Sequence, residues 1–247
     1  MNSPLQFIEP ECFESVAVGA CFTTRLGGCS TAPFAGLNLA LHVGDDPAAV
    51  ALNRDKVQEK LGLQHTPCWL DQKHGNRVVR IDEDPGKLSA DASITRTPGL
   101  VCVVMVADCV PLLLCDRGGT EVAAIHAGWR GLETGVIDAT LDAFTAVPSD
   151  IIAWLGPSIG LSAYQIGADL RRRFVVADPG TASAFDRQGP SWYMDLAHLA
   201  RGQLEQAGVQ FVHIDGHCVY QYSDLFYSYR RDGRTGRMAA LIWIEGS

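Results

Sequence analysis

Leu100-Val101-Cys102-Val103-Val104-Met105-Val106-Ala107-Asp108-Cys109-Val110-Pro111-Leu112-Leu113-Leu114-Cys115 decides how the chain is read. Leu100 to Val106 is a continuous apolar run rich in valine, the pattern of a strand buried on both faces. Pro111 to Cys115 is a second, shorter run. Between them sits a polar break with a thiol, next to a proline that interrupts strand pairing and can leave a side chain exposed. Outward from this stretch, Val122 to Ile125 predicts another strand, with His126 at its end. Gly131 to Phe144 predicts a helix closed by Pro148. His126-Ala127-Gly128-Trp129-Arg130-Gly131 is then a strand-to-helix turn, which aims backbone N–H groups and a helix dipole at a bound anion. Ile151 to Leu155 predicts a strand running into the glycine-rich Gly156-Pro157-Ser158-Ile159-Gly160.

The flanks repeat the pattern. Cys21 to Thr24 and Arg77 to Ile81 read as strands. Asp46-Pro47 opens a helix running to Leu61 and stopping at Gly62. Asp195 caps a second helix, with Leu196, Leu199 and Leu204 on its apolar face and Gly208 after it. Phe211 to Ile214 and Ala239 to Ile244 supply the last strands. The order predicts an α/β fold with a mixed β-sheet flanked by helices. With no repeat, low-complexity tract or linker, residues 1–247 are expected to form one domain.

The chain has 247 residues, 47% of them apolar and 19% charged, as expected of a compact protein with a sizeable core. A net charge of −8 disfavours nucleic acid as a partner, because a phosphate backbone needs a basic face. No apolar run approaches the roughly 20 residues that span a bilayer. The first twenty residues carry Glu9, Glu11 and Glu14 and no basic residue, unlike a secretory signal. Eight cysteines without a Cys-x-x-Cys pair predict buried reduced thiols and a cytoplasmic location.

Three segments can carry chemistry: Gln72-Lys73-His74-Gly75, Ala107-Asp108-Cys109 and His126-Ala127-Gly128. Two imidazoles and a thiol at the edges of apolar runs suffice for a three-ligand metal site with one open position, as in catalytic zinc. The same groups allow Cys109 to be a nucleophile with His126 as base. Sequence spacing leaves both open. The other histidines lack such placement; His198 lies in a helix pattern and His213 in a strand. Arg25, before Gly27-Gly28, and Arg130, before a helix, sit where backbone approaches an anion easily, and a guanidinium fork there suits phosphate. Trp129, Tyr227 and Tyr229 are candidates for stacking on a ring. No dinucleotide or phosphate-loop glycine motif occurs. No His-x-His pair occurs either, and seven scattered histidines are too few for a multicopper cluster.

Together these segments resemble the laccase-domain, or multicopper polyphenol oxidase-like, family, some members of which are described as purine nucleoside phosphorylases. The likeness runs from Thr23-Thr24-Arg25-Leu26-Gly27-Gly28-Cys29-Ser30 through Asn53-Arg54 and the three segments above. It ends at Tyr227-Ser228-Tyr229-Arg230-Arg231 and Thr235-Gly236-Arg237. The resemblance implies zinc bound by His74, Cys109 and His126. It implies phosphorolysis of adenosine, guanosine, inosine and methylthioadenosine, with some adenosine deamination, and a fold similar to the cytotoxic necrotizing factor catalytic domain. Two positions depart from the pattern: Gln165, where many relatives have Glu, and Lys73, where a small or apolar residue is common. Deamination also needs a carboxylate that is not a ligand. Asp108 is the nearest by sequence; Asp91 and Glu133 are more distant. The competing expectations are a metal-free Cys/His hydrolase (an amidase, or an enzyme editing cell-wall precursors), a non-catalytic binding module, and a copper-dependent polyphenol oxidase, which the histidine count disfavours.

Overall fold

The computed structural model describes residues 4–83 and 88–246. Strands β1 (Phe7–Ile8), β2 (Val18–Thr23), β3 (Cys68–Trp69) and β6 (Val101–Val106) join β14 (Met238–Ile244) in one sheet, ordered β1-β2-β14-β6-β3. A second sheet is ordered β13 (Phe211–Ile214), β9 (Ile151–Leu155), β7 (Val110–Asp116), β8 (Val122–Ala127), β5 (Ala92–Thr95), β4 (Val78–Arg80). Both sheets are mixed: β3 runs parallel to β6, β4 to β5 and β13 to β9, and the other neighbours are antiparallel. A small third sheet joins β10 (Gln165–Ile166), β12 (Ser191–Met194) and β11 (Phe185–Gln188). The α/β class holds, but the strands divide between two large sheets packed face to face.

The valine run explains the layering. All six residues of β6 are buried, and they alternate between two cores. Cys102, Val104 and Val106 point between the sheets with Phe22, Leu112, Ile125 and Ala240. Val101, Val103 and Met105 point the other way, onto Leu37, Leu39 and Val57. A strand with apolar side chains on both faces needs cover on both, and each fully buried valine contributes roughly 1.5–3 kcal/mol. Helix α1 (Pro47–Lys60) covers the outer face, starting where Asp46 accepts from the Ala48 N–H. On the other side, α3 (Val136–Leu141) and α5 (Leu196–Gln206) cover the second sheet. α5 begins at the Asp195 cap, as expected.

The helix expected over Gly131–Phe144 is broken. α2 (Trp129–Glu133) ends before Gly135, whose φ of 80° is left-handed backbone, and α3 begins after it. The remaining helices are α4 (Ala168–Ala177) and the short α6 (Tyr229–Asp232). Among the described residues no helix is long and apolar enough to cross a membrane.

Candidate metal centre

β6 and β7 are consecutive in sequence but belong to different sheets. The chain crosses between them at Ala107-Asp108-Cys109, and this corner sets Cys109 at the rim of the sandwich. The crossing requires unusual backbone: Asp108 has a φ of 106°. His74, at 60°, is the other non-glycine residue with positive φ among the described residues. Both outliers therefore fall at one place, a pattern common at functional sites because the surrounding structure must hold the strain.

His74 lies in the loop after β3. The Asp91 carboxylate shapes this loop, accepting from the N–H groups of Lys73 (3.2 Å), His74 (2.8 Å) and Gly75 (2.7 Å). Gln72 fixes it to the end of β6, donating to the Met105 carbonyl and accepting from its N–H, both at 2.8 Å. His126 projects from β8 opposite Pro111, and its Nδ1 lies 2.9 Å from Asp91 Oδ1. One buried carboxylate thus holds both histidines. The two rings meet edge to face at 4.6 Å, and one donor atom each from His74, Cys109 and His126 lies within 4.8 Å of the others. Exposure grades from buried His126 through half-buried Cys109 to exposed His74, which leaves an open side.

Burial alone would raise the Cys109 thiol. The positive His126 and hydrogen bonds from both imidazoles outweigh it and bring the thiol down to about 6. Burial would lower His126, but the Cys109 thiolate and the Asp91 bond lift it to about 9. Burial also works against the Asp91 carboxylate; His126 and the loop N–H groups outweigh it and hold Asp91 below the usual carboxylate range. A thiolate beside an imidazole is both a ligand set and an activated nucleophile.

The residues present fit a metal. Nitrogen and thiolate donors are those zinc takes. Asp91 on Nδ1 orients His126 so that Nε2 faces the cluster, the supporting arrangement usual for ligating histidines. Gly128 keeps the centre open, since a Cβ there would lie 3.0 Å from Cys109 Sγ and 3.2 Å from His74 Cδ2.

The other expected residues are placed as follows. Asp108 spends one oxygen on the Ser228 hydroxyl and the other on the Arg230 N–H, both at 2.6 Å, and so anchors α6. Burial pushes its carboxyl up, only partly offset by those bonds. Arg130 is exposed and stacks on Trp129 at 4.5 Å. Arg25 donates to the carbonyls of Ser223 (3.0 Å) and Ala35 (3.3 Å) and lies over Tyr227. It lines a separate open cavity of about 720 Å³ with Gly27, Gly28 and Asp224. Tyr227 is fully buried, its hydroxyl donating to the Phe34 and Ala35 carbonyls, so it packs rather than stacks on a ligand. Glu133 pairs with Arg173. Lys73 pairs with Asp71 on the surface, and Gln165 bonds Ser191 while its carbonyl accepts from Arg230.

Sequence reasoning underrated three residues. Asp91 organises both histidines. Tyr164 has the Arg230 guanidinium 4.8 Å over its ring; burial, then the charge of Cys109, push its hydroxyl up to about 12. Arg237 precedes β14, and because Met238 pairs with Val106 it falls beside the 107–109 corner. The sequence signal for Arg237 and Asp91 was weak: a charged residue immediately before a buried strand.

The chain matches the family model described as multi-copper polyphenol oxidoreductase laccase over residues 19–245. It is 47% identical over 242 residues to the purine nucleoside phosphorylase PA4543 of Pseudomonas aeruginosa, covering 97% of this chain and 98% of that one. Identity to the purine nucleoside phosphorylase YfiH of Escherichia coli is 43% over 240 residues, covering 97% and 99%. The crystal structure of Neisseria meningitidis protein NMB0706, of family DUF152, superposes with a TM-score of 0.92 at 44% identity, covering 97% and 99%. By both the family match and these full-length likenesses, the chain belongs to the multi-copper polyphenol oxidoreductase laccase family.

Proposed function

We propose that this protein is a zinc-dependent purine nucleoside phosphorylase acting on adenosine, guanosine, inosine and methylthioadenosine, with His74, Cys109 and His126 as the metal ligands. The observation that carries the reading is the convergence of those three side chains in a chain whose full-length relatives bear that name. Zinc bound there would supply a Lewis acid and a bound water of pKa about 7. That water is what adenosine deamination, the expected side activity, requires. Zinc is favoured over copper because the described residues bring together only this one His/Cys/His group, whereas a multicopper oxidase needs several. All eight cysteines are unpaired, which suits the reducing cytoplasm.

The protein's own groups bind and orient. In phosphorolysis a phosphate oxygen bonds to C1′ of the ribose as the C1′–N9 bond breaks. The bonding pair leaves with the purine, and the proton of hydrogen phosphate ends on the base. Tyr164 and Arg230 form a wall where a nucleoside can lie against the cluster. Asp108 positions that wall through Ser228 and the Arg230 N–H. Arg25 and Arg130 are the phosphate groups expected from the sequence. Of the two, Arg130 is exposed and stacked on Trp129 with no side-chain hydrogen bond among the described residues, whereas Arg25 would first have to release two carbonyls.

The test is base release from inosine, with and without phosphate, alongside inosine formation from adenosine and metal content by mass spectrometry. Phosphate-dependent release with bound zinc is expected. His74→Ala should lose both zinc and turnover while staying folded; because His74 also hydrogen-bonds the Cys109 thiol, the metal content is the readout that identifies it as a ligand. Full turnover in that variant without need of phosphate, with Cys109 still essential, would replace the phosphorylase with a metal-free Cys/His hydrolase.

A further inference from the structure

Two half-buried arginines, Arg54 and Arg237, lack a direct ion-pair partner among the described residues; Arg237 is influenced by Cys109 and Asp108 from beyond contact distance. Arg54 and Arg237 both anchor on Leu39. The Leu39 carbonyl accepts from Arg54 Nε and Nη2 at 2.9 and 2.8 Å, and the Leu39 N–H donates to the Arg237 carbonyl at 3.3 Å. Arg237 Nη1 is spent on the carbonyls of Thr235 and Gly236. Arg54 stacks on Trp69 at 4.0 Å, and its Nη2 approaches Met105 Sδ. Among the described residues neither guanidinium has a carboxylate within 4 Å, and Arg54 Nη1 and Arg237 Nε and Nη2 have no acceptor. None of these three atoms is sealed from solvent without a partner.

The nearby carboxylates direct their hydrogen bonds elsewhere. Asp108 is taken by Ser228 and the Arg230 N–H, Asp71 by Lys73, and Asp45 by the Asn38 amide. His42, an exposed residue three past Leu39, has Arg237, Asp71 and Arg54 among its charged neighbours. Removing a guanidinium from water costs free energy unless an anion repays it. Burial lowers both arginines, Arg54 to about 10, consistent with a missing partner. Two forked cations with free donors suit a dianion with several oxygens better than a single carboxylate.

We infer that Arg237, Arg54 and His42, gathered around Leu39 beside Cys109, form the binding site for the inorganic phosphate co-substrate. The inference rests on the phosphorylase reading and places the phosphate beside Cys109 at Arg237, whose guanidinium also lies 5.8 Å from the Tyr229 ring.

The test uses the full-length protein and inorganic phosphate in two readouts: the KM for phosphate in inosine phosphorolysis, and broadening of the phosphate ³¹P resonance on binding. Arg237→Met is expected to raise the phosphate KM about tenfold or more, the loss of a charge-assisted contact, while the inosine KM moves far less. Arg237→Lys, which keeps charge and loses the fork, should fall between. Arg54 also packs on Trp69, so its variant is read beside His42→Ala, whose exposed ring does not support the core. If the wild type turns over and Arg237→Met and His42→Ala keep its phosphate KM, or Arg130→Met alone carries the rise, the phosphate site is overturned and the reaction stands. If the wild type shows no phosphorolysis but binds phosphate, and Arg237→Met abolishes binding, the reaction reading fails and the site stands. If the wild type does neither, both fall.

Discussion

Gly128→Ala adds one methyl group where the three proposed zinc ligands meet. The backbone tolerates it, since Gly128 has a φ of −80° and ψ of 165°, ordinary extended geometry at the start of α2. The space does not. The new Cβ would lie 3.0 Å from Cys109 Sγ and 3.2 Å from His74 Cδ2. Relief requires both side chains to retreat by several tenths of an ångström, and metal sites tolerate only about 0.5 Å of such error. We expect zinc affinity to fall about 10–100-fold, the range seen when ligand support is lost. Zinc at 100 times its dissociation constant stabilises the folded state by about 2.7 kcal/mol, and a hundredfold loss of affinity leaves about 0.4 kcal/mol. At roughly 2–4 °C per kcal/mol for a chain of this size, the zinc-induced rise in Tm shrinks from about 5–11 °C to about 1–2 °C. The assay is thermal unfolding with and without zinc, alongside competition with a chromogenic chelator. Gly167→Ala is the control: Gly167 also begins a helix, with a φ of −78°, but a Cβ there meets nothing within 4 Å. Wild-type zinc affinity and Tm shift in Gly128→Ala would refute the placement of the metal between these three residues.

Two further outcomes follow from the buried carboxylates. Asp91→Asn removes the charge that holds His126 and the His74 loop, so zinc affinity should drop about 10–100-fold and the metal-free Tm should also fall; chelator competition and calorimetry check both. Glu121 is buried and accepts from the N–H groups of Thr145 and Ala146 and from Arg96, bonds that outweigh its burial and hold its pKa below the ordinary value. Its contribution is therefore present above the unfolded pKa of about 4.3 and lost as pH falls through the lower folded value. Glu121→Gln should cost about 1–3 kcal/mol at pH 7, and the gap to wild type should narrow toward pH 3 in denaturant melts; a gap independent of pH would show that the charge does not matter.

Local signals wrote much of this structure into the sequence. Asp46-Pro47 and Asp195 each start a helix because the cap needs only neighbouring N–H groups. The valine run is a strand wherever it packs, because both its faces are apolar. His74, Cys109 and His126 stood out because each lies where an apolar run or a glycine turn ends. What local signals cannot carry is pairing. Nothing near Met238–Ile244 says that it inserts between β2 and β6, and that insertion brings Arg237 to the site. Likewise, two adjacent apolar runs look like neighbours in one sheet, yet they sit in facing sheets, and only the crossing at Asp108 places Cys109 against the histidines. Asp91 read only as a candidate carboxylate ranked behind Asp108, and not as the support of both histidines, because its four bonds come from residues 16 to 35 positions away. Composition and periodicity determine which residues become strands, helices and reactive corners. The meeting of those corners is a property of long-range packing, and it exists only once the two sheets have closed on each other.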